Sequence, residues 1–229
     1  PPYASGHYTT WQGLFQGKFN DHTNTVEVVG ANLDRVTDVN LLFKNCSSLL
    51  SVGTIDFGTA VNCDGMFSGS SNLRTVGDII ILGDDIFDDH NTQIGFTRVS
   101  SMFENCTSLT TVGNVRFEHM TSMEYTFDGC RSLTTIGNVY APKVVNLAWT
   151  FHNCESIVTM PSVTLSNLAR TFYSSFNNCR SLQSCPIVSS LDNATNCENM
   201  FSNCHALSAF PTFSASKVTT IASMFYGCD

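Results

Sequence analysis

Charge is scarce in this chain. Asp, Glu, Lys and Arg make up 13% of 229 residues, about half of the usual share. Lys and Arg number 11 against 19 acidic residues, are scattered, and leave a net charge of −8. That excludes a phosphate-tracking surface, so nucleic acid is not an expected partner. No apolar run approaches the ~18 residues of a membrane span and no signal peptide is visible, so membrane insertion is not expected. No G-x-S-x-G, phosphate loop or metalloprotease signature occurs. The six histidines, His7, His22, His90, His119, His152 and His205, sit in no nucleophile–base motif. The chain is therefore expected not to be an enzyme and to need no cofactor. C-x-x-C is missing too, and Cys204-His205 is a lone adjacent pair, so metal-ligand spacing is absent.

What is present is a repeat. Phenylalanine recurs at Phe43, Phe67, Phe103, Phe127, Phe151, Phe176, Phe201 and Phe225, in steps of 24, 36, 24, 24, 25, 25 and 24. Three residues after this anchor stands Cys46, Cys106, Cys130, Cys154, Cys179, Cys204 or Cys228, with Ser70 once in their place. Leu or Ile follows at +6, and further apolar residues at +9 and +12. Upstream, apolar residues fill −4 and −7.

Apolar positions at −7, −4, 0 and +3 match one face of a short helix. At −5 stand Asp38, Asn62, Arg98, Ser122, Asn146, Thr171, Asn196 and Thr220. All but Arg98 are good N-caps. Every +2 residue is Asn or Gly, the types that accept the left-handed conformation closing a helix. Each unit then reads as a helix of roughly two turns, a sharp stop and an extended stretch. Gly53, Gly77, Gly113 and Gly137, and later Pro161, Pro186 and Pro211, mark a corner. One such unit cannot bury its own apolar side, whereas stacked copies can. The expected fold is α/β: a right-handed, leucine-rich-repeat-like solenoid of about eight coils over 36–229, each a short helix plus a short parallel strand. Residues 1–35, rich in aromatics at Trp11, Phe15 and Phe19, are expected to cap or join it. An inserted loop is expected at about 80–95.

The unit Phe-x-x-Cys-x-Ser-Leu-x-x-Val-Gly, carried by "MFENCTSLTTVGNV" and "MFSNCHALSAFPTF", resembles the BspA-type leucine-rich repeats of bacterial surface and some phage proteins. The resemblance implies surface display and adhesion. It is specific for fold and says little about role.

Seven of the ten cysteines share one register; Cys63, Cys185 and Cys197 stand where other repeats carry Val, Met, Leu, Ile or Phe. Cysteine exchangeable with such residues is a small hydrophobe, so free buried thiols are expected, in keeping with assembly in a reducing compartment. The N-x-S/T sequons at Asn45 and Asn105 follow from the repeat itself; the third is Asn193. Asp84, Asp85, Asp88, Asp89 and His90 crowd into the inserted loop. They lack EF-hand spacing and read as a solvated acidic loop, but a loop projecting from a regular stack suits partner recognition. A face of Ser, Thr and Asn, for example Thr110-Thr111, Thr134-Thr135, Asn114 and Asn138, offers hydrogen bonds at small desolvation cost. The chain begins at Pro1 and stops within a repeat, so an excerpt or processed product is expected. The functional expectation is a non-enzymatic recognition or adhesion module on an extracellular surface or virion. Its partner is a glycan or protein on a cell surface, and a neighbouring domain or subunit covers its open ends. The alternative is a structural spacer or decoration domain without a ligand.

Overall fold

A computed structural model describes residues 9–10, 13, 16–17, 26–28, 31–32, 36–58, 60, 62–83, 97–160, 162–165, 168–185, 191–209 and 216–228. Among them the chain consists of short parallel strands and tight turns, with one turn of 3₁₀-helix at 191–193 and no α-helix.

The strands follow from the two Val/Ile positions of the repeat. One five-stranded sheet has the order Thr135–Ile136, Thr111–Val112, Thr75–Val76, Leu49–Val52 and Val26–Val28. A six-stranded sheet runs Val163–Leu165, Val139–Ala141, Val115–Phe117, Ile79–Ile81, Ile55–Asp56 and Ala31–Asn32. All pairs are parallel, and neither sheet closes into a barrel. Equivalent residues face each other: Val52 with Val76, Val76 with Val112, Val112 with Ile136. Because Val76 and Val112 pair directly, the long 36-residue step leaves the register intact. The segment expected to cap the stack is joined in the same manner, with Val26–Val28 on Leu49–Val52 and Ala31–Asn32 on Ile55–Asp56.

The helix expected around each anchor is absent, and its place is taken by a ribbon of turns. Two residues per repeat, at −2 and +2 from the anchor, lie at φ between 51° and 72°; Leu41 and Asn45, Trp149 and Asn153 are examples. An α-helix ties each amide to a carbonyl four residues back in its own segment. Here every second amide leaves the segment. Leu147, Trp149, Phe151 and Asn153 donate to the carbonyls of Thr171, Tyr173, Ser175 and Asn177 in the next repeat, at 2.8–2.9 Å. The amides between them close tight turns, Thr150 to Leu147, His152 to Trp149 and Cys154 to Phe151. Left-handed residues keep the segment bending while its alternate amides point along the stack. The apolar spacing of 3 and 4 comes from successive turns that share one inner face, so it mimics helical period.

The residues read as N-caps do accept hydrogen bonds, but in turns. Asp38, Asn62, Asn146 and Asn196 each accept from the amide two residues on, at 2.9–3.2 Å, as Asx-turns do. Arg98 offers no acceptor. Asp64 of the preceding repeat takes over and accepts from Ser100 at 2.8 Å. At the corner, an added Cβ on Gly77 would come within 2.7 Å of the Thr54 nitrogen and 2.8 Å of the Gly53 carbonyl carbon. Glycine is needed there because neighbouring backbones touch. Pro161, Pro186 and Pro211 lie outside the described residues.

The eight anchor phenylalanines stack into one column, with centroids 5.2–5.7 Å apart and planes within 10°. Beside it runs the column of thiols. None of the ten cysteines forms a disulfide. Cys106, Cys130, Cys154, Cys179, Cys204 and Cys228 each donate S–H to the anchor carbonyl of the preceding repeat, at 3.0–3.2 Å. Ser70 makes the same bond to Phe43 at 2.7 Å. The register therefore selects a small side chain that also donates. Burial, the largest cause, pushes the thiols of Cys130, Cys154 and Cys179 well up and that of Cys204 up to about 12.

Two predictions follow from this column. Cys130→Ser keeps the donor, and its urea-unfolding free energy stays within about 1 kcal/mol of the parent. Cys130→Val fills similar space but removes one of the two donors to the Phe103 carbonyl, which keeps the Cys106 amide, and costs about 1–1.5 kcal/mol more than Cys130→Ser; equal losses for both variants would contradict a donor role. The raised thiols also link stability to pH. Unfolded thiols ionise near 8.5, while the folded ones resist ionisation. Stability is thus fully present below about pH 8.5 and declines as pH rises toward about 12, so urea midpoints should fall across that range. A midpoint that is flat up to about pH 11 would contradict burial of the thiols.

Candidate functional site

Asp84, Asp85, Asp88, Asp89 and His90 of the acidic loop lie outside the described residues. The polar face is described, and much of it is already engaged. Thr110 Oγ1 donates to the Arg74 carbonyl at 3.0 Å and Thr134 Oγ1 to the Thr110 carbonyl at 3.1 Å. Asn114 Oδ1 accepts from the Asn138 amide at 3.1 Å. Thr111 and Thr135 remain exposed. These ladders tie one repeat to the next, so the polar columns serve the stack as well as any ligand.

A different feature stands out on the turn ribbon. Its −2 column carries Leu41, Gly65, Ser101, Tyr125, Trp149, Ser174, Asn199 and Ser223, all at positive φ. The left-handed region costs an ordinary residue about 1–2 kcal/mol and suits Gly or Asn best. Yet two large aromatics occupy consecutive repeats. Leu41, the other bulky member, leans over Gly65, since its Cδ2 lies 2.8 Å from where a Cβ of that glycine would be. Tyr125 and Trp149 stack with centroids 5.8 Å apart and planes at 11°. Tyr173 meets Trp149 edge-on at 5.2 Å and 68°, and His152 does so at 4.6 Å and 85°. The four side chains are only half-buried. The backbone imposes this conformation at the position in every repeat, so what sets these two apart is the large, partly exposed ring each carries there.

Carboxylates surround this cluster. His152 Nδ1 lies 2.7 Å from Asp128 Oδ1, which fixes the imidazole against the indole. The Tyr125 hydroxyl is raised above its ordinary value, first by desolvation and then by the negative charges of Glu124, Asp128 and Glu104. Flat aromatic faces beside carboxylates can hold the C–H face of a sugar, a planar group or a cation. Among the described residues, no group of three or more His, Cys, Asp or Glu side chains is placed to hold a metal ion. No helix among them is long and apolar enough to cross a membrane.

From sequence, His152 was legible only as a surface residue beside an anchor. Tyr125, Trp149 and Tyr173 were not singled out, although the repeat aligns the first two 24 residues apart in one column. The signal was a large aromatic at a position where other repeats carry Leu, Gly, Ser or Asn. It was hidden because the −2 position falls between the apolar registers and its left-handed backbone was not anticipated.

The family of Mycoplasma proteins of unknown function, DUF285, matches the chain twice, over residues 9–140 and 97–229. The two matches overlap, as a repeating sequence allows. No curated protein and no solved structure matches the chain.

Proposed function

Because the chain belongs to the DUF285 family, whose description assigns no function, we propose a role from its own surface: a non-enzymatic recognition or adhesion module. In this reading the protein is a leucine-rich-repeat-like solenoid of the BspA type, displayed on a cell surface or virion, that binds a glycan or a protein. The observation that carries the reading is the partly exposed aromatic cluster of Tyr125 and Trp149, both at left-handed backbone positions, with Tyr173 packed edge-on against Trp149. The ribbon beneath is cross-bonded at every second amide, so the rings are pre-organised and little ordering entropy is lost on binding. Tyr and Trp are also the residues that most often dominate binding energy at protein surfaces. Asp84, Asp85, Asp88, Asp89 and His90 of the inserted segment belong to the proposal as a second contact. A neighbouring domain or subunit is proposed against Ile221 and Tyr226, which are 61% and 70% exposed.

A spacer or decoration role without a ligand is the second reading. It is favoured by the Thr and Asn ladders, whose polar groups bond along the stack.

Glycan-array and cell-binding assays on the 229-residue chain separate the two. Ser is native to the −2 column at Ser101, Ser174 and Ser223 with the same backbone sign, so Trp149→Ser folds. Its thermal midpoint is expected to stay within a few degrees of the parent, and its binding to fall at least tenfold, as for an aromatic hot spot. Undiminished binding would remove the cluster from the site. Absence of binding to every surface would leave the spacer role.

A further inference from the structure

Between −4 and +2 from each anchor, the backbone bonds that cross repeats all run one way. Amides donate toward the following repeat, and carbonyls accept from the preceding one. The turn ribbon therefore has two unlike ends, one of N–H groups and one of C=O groups.

The N–H end is the repeat around Phe225. Among the described residues, the amides of Ile221, Ser223 and Gly227 have no acceptor. One repeat earlier, Cys197, Asn199 and Asn203 donate to the carbonyls of Thr220, Ala222 and Tyr226 at 2.6–2.9 Å. Ile221 is 61% exposed, whereas its counterpart Cys197 is buried. Residues 218–228 hold no charged side chain and no proline, the devices that usually protect an open edge.

The C=O end lies before the first cysteine-bearing repeat. Gly13 and Gly17 reproduce the paired left-handed positions, at φ 58° and 61°. Gly13 donates to the Asn40 carbonyl at 2.9 Å, Gly17 donates to that of Lys44 at 2.8 Å, and the Gln16 amide closes a turn on Gly13. The spacing sets Phe15 at the anchor of this segment and Thr10 at −5. Thr10 pairs with Asp38, so the ladder of −5 residues runs from Thr10 to Thr220. The amides of this segment are spent on the first repeat, and the carbonyls of Thr10 and Gln16 belong to the side facing away from it.

N–H rows carry partial positive charge and C=O rows partial negative charge. Like ends would set donor against donor or acceptor against acceptor, leaving both unpaired. Unlike ends complement each other, and main-chain pairing along an open edge supplies affinity. The side chains agree. In register, Ser223 would meet Gly13, Gly227 would meet Gly17, and Phe15 follows Phe225, where the ring column stops.

We propose that the last repeat of one copy receives segment 10–16 of a second copy, the amides of Ile221 and Gly227 donating to the carbonyls of Thr10 and Gln16, so that copies join head to tail. This names the neighbour proposed above against Ile221 and Tyr226 and rests on that part of the reading. A heterologous contact leaves one free end of each kind, so it propagates.

The test is sedimentation velocity on the 229-residue chain from micromolar to millimolar concentration, beside hydrogen exchange of its amides. Mass is expected to rise past two copies. Exchange of the Ile221, Ser223 and Gly227 amides is expected to slow about tenfold as it does so, a readout that needs no variant. Ile221→Asp and Gln16→Asp, both at exposed residues, each block one end. Either alone should stay monomeric, and their mixture should stop at a one-to-one dimer, because only one junction has two intact ends. A mass fixed at one copy, a parent that stops at two, a variant that associates like the parent, or end amides that exchange at one rate throughout would overturn the inference. A monomeric chain that still binds glycans or cells sinks head-to-tail joining alone; a chain that joins but binds nothing sinks the recognition reading alone.

Discussion

The structure depends on one arrangement of backbone hydrogen bonds. In the turn segments that have a following repeat, amides at −2, 0 and +2, and in most of them −4, leave their own repeat and donate to the next, and those between them close local turns. The segment thus behaves as strand along one direction and as turn along the other. Buried amides rarely go unpaired, and here both sets are satisfied only when another repeat lies alongside. A single copy would leave half of its donors without acceptors. Stacking is therefore a requirement of the backbone as well as of the apolar side chains.

The rest of the interior follows from that register. Once repeats are bonded at fixed spacing, equivalent side chains must superpose, and phenylalanine rings at 5.2–5.7 Å form a nearly parallel column. The anchor carbonyl accepts twice, from the cysteine amide three residues on and from the thiol of the next repeat, as Phe127 does with Cys130 and Cys154. Leaving either lone pair buried and unmet carries a desolvation penalty, so the Cys position tolerates Ser70 but not an arbitrary small residue. The left-handed positions explain the Asn/Gly alternation at +2. Gly129 sits where a Cβ would meet Asn105 Oδ1 at 2.6 Å, so the amide of one repeat lies over the bare backbone of the next. Where asparagines follow one another, Asn178 and Asn203, they bond in a ladder at 3.0 Å.

Much of this was legible in the sequence. The period, the anchors, the strand positions and the burial of the thiols follow from which residues replace one another at each register. Parallel pairing of Val76 with Val112 across the long step follows from the same alignment. The turn ribbon did not. Spacing of 3 and 4 residues is shared by a helix and by consecutive turns, and Asn at +2 suits both a helix end and an isolated left-handed turn. The deciding clue was a second column at −2, where Gly65, Ser101 and Asn199 are permissive but Leu41, Tyr125 and Trp149 are not. Large side chains at positive φ cannot be foreseen from local preference, because it is the cross-repeat hydrogen bonds that hold them there. The same positions make the aromatic cluster, so the surface feature and the misread backbone share one cause.

The most direct measurement is of scalar coupling across hydrogen bonds in isotopically labelled protein. The account predicts couplings from the amide nitrogens of Leu147, Trp149, Phe151 and Asn153 to the carbonyl carbons of Thr171, Tyr173, Ser175 and Asn177. Couplings from those amides to carbonyls four residues earlier in the same segment would mean helices, and would contradict it.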